Sequence, residues 1–107
     1  HVDTSGQPDN NILQVSQGFS YVYSASAPIG SKVDPASIRL NGVPIDPAAT
    51  YRVTVNSFLA SGGDDFAVFA QGVDRVGGPV DLEAIEAYLA AHSPASPPAL
   101  DRITLLP

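Results

Sequence analysis

From Asn11 onward, apolar and polar residues alternate: Leu13 and Val15 are separated by Gln14 and followed by Ser16. That period-two pattern predicts a half-buried strand. Gly18 interrupts it, and Phe19, Tyr21 and Tyr23 then recur at every second position. Their spacing puts three aromatic rings on one face of a second strand. Ser24 to Pro28 is a run of small residues, and Gly30 and Pro35 extend it as a loop. The sharpest local signal follows, where Asn41-Gly42 stands between Ile38-Arg39-Leu40 and Val43-Pro44-Ile45. Asn-Gly supports the positive φ values of a type I′ turn, so this segment reads as a hairpin. Pro44 has no backbone donor, which places its strand at a sheet edge.

Asp46-Pro47 starts another turn, after which Tyr51, Val53 and Val55 alternate with Arg52, Thr54 and Asn56. This is the cleanest strand pattern in the chain, and it leads straight into Ser57-Phe58-Leu59-Ala60-Ser61-Gly62-Gly63-Asp64-Asp65-Phe66. Phe66 to Ala70 fits a short helical turn ending near Gly72. Val80-Asp81-Leu82 then opens a helix, with Asp81 as N-cap and Val80 packing on Ile85 as a hydrophobic staple. Leu82, Ile85 and Leu89 share one face, leaving Glu83 and Glu86 to water. His92 falls in the last turn, Ser93-Pro94 marks the stop, and Ser93 to Pro98 is a connector. Ile103 to Leu105 adds a final strand. No internal repeat is evident. The sum is an α+β fold: a mainly antiparallel sheet, one clear helix and a short helical turn.

A chain of 107 residues with 44% hydrophobic side chains suits one domain. Area scaling predicts that it buries about 65% of its extended-chain surface, enough for a modest core. No run approaches the roughly 18 apolar residues of a membrane span. Residues 1–10 are polar, with Gly6 and Pro8, and read as a linker or frayed end; residues 11–107 read as the domain. The first residues carry neither the basic nor the apolar region of a signal peptide, and the chain contains no Met. The expectation is a piece of a longer protein, with any export signal outside it.

Five Lys and Arg against eleven Asp and Glu leave a net charge of −6. Neutralising nucleic-acid phosphates needs a basic surface, so polymeric nucleic acid is not an expected partner. Zero Cys excludes disulfides, thiolate metal sites and cysteine nucleophiles together. With only His1 and His92, the chain is poor in ligands for a hydrolytic metal centre. His92 reads as a solvated side chain at a helix C-terminus. No nucleophile-elbow pattern supports a Ser61–His92 triad, and Gly62-Gly63 has neither phosphate-loop nor dinucleotide-loop spacing. The chain alone is therefore not expected to be an enzyme.

Phe58 to Asp64 offers a different chemistry. Gly62 and Gly63 permit positive φ and close approach of a ligand to the backbone. Phe58 can present a π-face to a flat heterocycle, and Asp64 can accept two charge-assisted hydrogen bonds from vicinal ribose hydroxyls. The alternatives are structural: Phe58 as a core residue, and Asp64 or Asp65 as a cap on the turn at Phe66.

The run Asn56-Ser57-Phe58-Leu59-Ala60-Ser61-Gly62-Gly63-Asp64-Asp65-Phe66 resembles the nucleoside-binding segment in the C-terminal domain of 5′-nucleotidases. Leu13-Gln14-Val15-Ser16, Tyr21-Val22-Tyr23, Asn41-Gly42-Val43-Pro44-Ile45-Asp46-Pro47 and Thr50-Tyr51-Arg52-Val53 are similar to that family's preceding elements, in the same order. The resemblance covers roughly Asn11 to Thr104. It implies a partial substrate-binding domain in which Phe58 is one of two rings sandwiching the base. Asp64 would hold the ribose, with Gly62 and Gly63 in the same substrate-binding loop. Further implications concern the parent: an exported or envelope phosphohydrolase acting on nucleotides, with a separate N-terminal metallophosphatase domain carrying two divalent metals. None of those metals would be held by this chain, and the second aromatic ring and the phosphate-binding arginines would lie upstream.

One departure stands out: the family often has Gly after the motif's Asp, where this chain has Asp65. If that position needs positive φ, Asp tolerates it better than most residues. An uncovered sheet edge would also permit self-association. The rival reading is a non-catalytic, β-rich extracellular structural or adhesion module, in which Phe58 is core and Gly62-Gly63 a simple turn.

Overall fold

The alternation of Phe19, Tyr21 and Tyr23 becomes the six-residue strand β1, Phe19–Ser24, in the computed structural model, which describes residues 11–107. The segment 1–10, read above as a linker or frayed end, lies outside the described residues. The described residues gather into two units, one running through Arg52 and completed by Ala99–Pro107, the other formed by Val53–Pro98.

The first unit is a four-stranded sheet in the order β3-β2-β1-β4, where β2 is Arg39–Leu40, β3 is Val43–Pro44 and β4 is Ile103–Leu106. The β1–β2 and β2–β3 pairs are antiparallel, and β4 runs parallel to β1. The fold is thus α+β with a mixed sheet. Asn41 at φ 52° and Gly42 at φ 80° supply the two left-handed residues a type I′ hairpin requires. The Asn41 amide also donates to the Gly18 carbonyl at 2.7 Å, tying the hairpin to the start of β1. Pro44 lies on the outermost strand, where its missing donor leaves no gap in the sheet.

On the other side of β1, Tyr21 to Ser24 pair in register with Ile103 to Leu106. Arg102 reaches back to donate from Nη1 to the Val15 carbonyl at 2.9 Å. The loop after β1 folds onto the strand's own polar groups: the Val22 amide donates to Ser37 Oγ at 2.8 Å, and Asp34 N–H donates to the Val22 carbonyl at 3.0 Å. Asp34 Oδ1 accepts from the Ala36 amide and so caps the 3-10 turn Pro35–Ser37. Partial burial, and secondarily the neighbouring Tyr23 phenol, push the Tyr21 hydroxyl above its ordinary pKa of 10.0.

In the second unit, α1 (Ser57–Ala60) is followed by 3-10 turns at Gly63–Asp65 and Ala67–Gln71. The helical turn expected from Phe66 to Ala70 is this second 3-10 segment, with Gly72 as its C-cap. Arg75 donates to the carbonyls of Gly72, Phe69 and Ala70, satisfying acceptors that the end of a short helix leaves open. The predicted long helix is α2, Asp81–His92.

Five sequence expectations require correction. Leu13 to Val15 keeps the alternating exposure of a strand, but it joins no ladder among the described residues. Tyr51 to Val55 likewise forms no ladder, and Val53 is 66% exposed. Alternation reports where side chains prefer to point, whereas a strand also needs a hydrogen-bonding partner alongside. The N-cap of α2 is Val80, without a side-chain cap bond; Asp81 lies inside the first turn, its Oδ1 accepting from the Leu82 amide at 2.8 Å. Val80 is itself the cap and so does not stand at N′, where the expected staple to Ile85 begins, and the face of Leu82, Ile85 and Leu89 is exposed. Finally, no described residue is buried, so the modest core expected from chain length is not there. Strands of two to six residues place too few side chains over one another to shield any completely.

Candidate functional site

The candidate site is built by Asn56. Its backbone is extended (φ −70°, ψ 166°), and its Oδ1 accepts from the Leu59 amide at 2.8 Å, which starts α1. This is the N-cap arrangement that favours Asn over most residues. The sequence reading had a strand delivering the loop directly. An Asn followed three residues later by an amide in need of an acceptor was the available signal for a helical turn. Phe58 therefore stands on a capped turn of helix, held from below by the Asn56 side chain. Asn56→Ala is expected to destabilise that turn by about 1 kcal/mol. Hydrogen exchange at the Leu59 amide checks this, with exchange about fivefold faster as the expected outcome.

Gly62 ends α1. At φ 85° and ψ 21° it occupies the left-handed region, and its amide donates to the Leu59 carbonyl at 2.9 Å. A glycine is the natural residue for this helix exit. Asp64 (φ 51°) and Asp65 (φ 60°) are also left-handed, which explains how Asp65 occupies a position where the resembled family often has Gly. Aspartate is among the few non-glycine residues that visit this region readily. Phe66 closes the turn, its amide donating to the Gly63 carbonyl at 3.1 Å. The Asp64 side chain is exposed and that of Asp65 is half-buried.

Phe58 is 57% exposed and is no core residue. Its ring lies against Gly63: a Cβ on Gly63 would come within 2.6 Å of Cζ and 2.7 Å of both Cδ1 and Cδ2. Those three atoms alternate around the ring, so a point nearly equidistant from them sits over the ring's middle. One face of Phe58 therefore rests on the Gly63 backbone. Asp64 is the next residue along the chain. The structure brings Phe58, Gly62, Gly63 and Asp64 into one short turn system, combining an aromatic ring, two glycines and a carboxylate.

His92 takes no part in this cluster. Its ring stacks on Tyr88 with centroids 4.3 Å apart, and its Nδ1 lies 2.9 Å from the Tyr88 carbonyl at the end of α2. Among the described residues, no three His, Cys, Asp or Glu side chains converge as a metal ion would require. These residues do not form a metal centre of the kind implied for the parent. No helix among the described residues is long and apolar enough to cross a membrane.

Comparison with known proteins places the chain in a family. The family described as 5′-nucleotidase, C-terminal domain, matches residues 1–71. A 5′-nucleotidase-related protein of Glossina morsitans morsitans is 33% identical over 102 residues, covering 89% of this chain and 18% of its own length. A snake venom 5′-nucleotidase of Macrovipera lebetinus is 30% identical over 112 aligned positions, covering 98% of this chain and 27% of its own. An apyrase of Aedes aegypti is 34% identical over 88 residues, 74% of this chain and 15% of the apyrase. The chain thus spans between 15% and 27% of these relatives. No solved structure matches.

Proposed function

Because this chain belongs to the family of 5′-nucleotidase C-terminal domains, we propose that it is the nucleoside-binding part of a phosphohydrolase acting on nucleotides. Phe58 takes the base on its open face, an interaction worth roughly 1–3 kcal/mol for base–aromatic stacking. The Asp64 carboxylate accepts hydrogen bonds from the ribose hydroxyls, and the Gly62-Gly63 backbone shapes the loop between them. Hydrolysis belongs to a separate metallophosphatase domain of the parent, and this segment's part is to hold the substrate in register for it. Export or attachment to the cell envelope fits a family that includes a venom protein.

The observation that carries this reading is the Phe58 ring, exposed on a capped turn, backed on one face by glycine and followed closely by an exposed carboxylate. Titrating adenosine and uridine into the chain while following the Phe58 ring protons by NMR tests it. Saturable shifts with both nucleosides are expected, since stacking accepts any base. Unmoved ring protons would favour the structural-module reading instead. A second expectation concerns the division of labour. The 107-residue chain alone should release no phosphate from AMP, with or without added divalent metal, whereas robust metal-dependent release would place catalysis within it.

A further inference from the structure

We propose that Gly63 is a positioning residue for Phe58: its missing side chain is the seat on which the ring lies flat, fixing which face meets a base. The inference rests on Phe58 being the stacking ring, and goes beyond it by assigning the two adjacent glycines different work. Gly62 is required by the backbone. Its φ of 85° is left-handed, and a Cβ there would meet nothing nearer than 3.4 Å. Gly63 shows the opposite pattern. It is not among the residues with positive φ, so alanine suits its backbone. A Cβ, however, would sit within 2.6–2.7 Å of three alternating ring atoms, a separation that non-bonded carbons essentially never hold.

The clash has one easy escape. Phe58 is a side chain on a short turn and more than half exposed, so its ring can rotate away into solvent while the backbone stays put. A single methyl group at position 63 thus converts a ring held flat into a ring free to sample other rotamers. Binding a base then has to immobilise it again, a penalty that the glycine seat removes in advance. The seat also covers one face of the ring, leaving a single face for stacking. Access from one side only gives the base a defined orientation relative to Asp64, the next residue after the seat.

NMR of the 107-residue chain tests this with adenosine as probe. In the unmodified protein, the Gly63 Hα signals should lie upfield of those of the other glycines, because they sit under the ring; Phe58→Leu should abolish that displacement. Gly63→Ala should move the Phe58 ring signals in the free protein, leave the amide signals of β1 and β4 unchanged, and weaken adenosine binding about tenfold. In a Phe58→Ala background, Gly63→Ala should weaken binding no further, since the two act as one unit. Gly63 Hα signals at ordinary positions, or wild-type adenosine affinity in Gly63→Ala, would overturn the seat. If Phe58→Leu binds adenosine as tightly as the unmodified chain, or the unmodified chain shows no adenosine effect, the stacking role of Phe58 fails and the seat's role in binding fails with it. The upfield Gly63 signals report the packing separately, and so distinguish the two failures.

Discussion

Under the function proposed above, removing the charge of Asp64 in a nucleotide-hydrolysing parent protein should raise the KM for a nucleoside 5′-monophosphate by about ten- to hundredfold. That range corresponds to losing charge-assisted hydrogen bonds worth roughly 1.5–3 kcal/mol. The choice of substitution matters because Asp64 has φ 51°, where alanine is strained. Asp64→Asn keeps both the shape and the tolerance for left-handed backbone, and so isolates the carboxylate. If the ribose contact is made equally in the bound substrate and in the transition state, KM rises with kcat unchanged. A second readout ties the effect to the sugar. The proposed ribose contact gives the unmodified protein a preference for a ribonucleotide over its 2′-deoxy analogue, and that preference should shrink in the variant. Unchanged kinetics and unchanged sugar preference would remove Asp64 from this role.

The largest stability effect is expected in the other unit, at Gly18. Gly18 has φ 91°, and its carbonyl accepts from the Asn41 amide at 2.7 Å. A Cβ on Gly18 would run into the Asn41 side-chain oxygen, with the Asn41 Cγ 3.3 Å away. Gly18→Ala therefore combines a left-handed alanine with a collision at the residue that opens the hairpin turn. The expected loss is about 1–2 kcal/mol of backbone strain plus a smaller cost for turning aside the Asn41 side chain, whose oxygen is a movable end. Gly30→Ala is the control: its φ is 85°, but a Cβ there meets nothing within 4 Å, so only the strain remains. Urea unfolding of both variants separates the two contributions. Equal losses would show that the Asn41 contact does not matter.

What the sequence made readable was chemistry acting over short distances. The type I′ hairpin follows from two adjacent residues, Asn41 and Gly42, and appears with the backbone angles those residues favour. Strand β1, helix α2 and strand β4 were readable from periodicity and composition alone. The failures have a common cause. Tyr51 to Val55 has ideal alternation, yet it joins no ladder among the described residues, and the Tyr51 hydroxyl instead accepts from the Asp46 amide at 2.8 Å. The parallel pairing of β1 with β4 joins residues about eighty positions apart, and no local pattern encodes such a partner. In the candidate site, Phe58 and Asp64 are singled out by chemistry and family resemblance. The helical turn under Phe58 and the separate reasons for Gly62 and Gly63 emerged only with the geometry, because two neighbouring glycines look alike until something is seen to occupy the space beside one of them.

The parallel pairing has a consequence for biosynthesis. As the polypeptide leaves the ribosome, β1 and its hairpin emerge early, but the flank of β1 that receives Ile103–Leu106 has no partner until translation has passed through all of Val53–Pro98. For that interval Tyr21 and Tyr23 present open backbone donors and acceptors to any other nascent chain nearby, the circumstance in which strands pair between molecules and aggregate. Slow elongation through the intervening stretch, or a truncation that removes the last residues, should therefore lower the soluble yield even though the hairpin itself is intact.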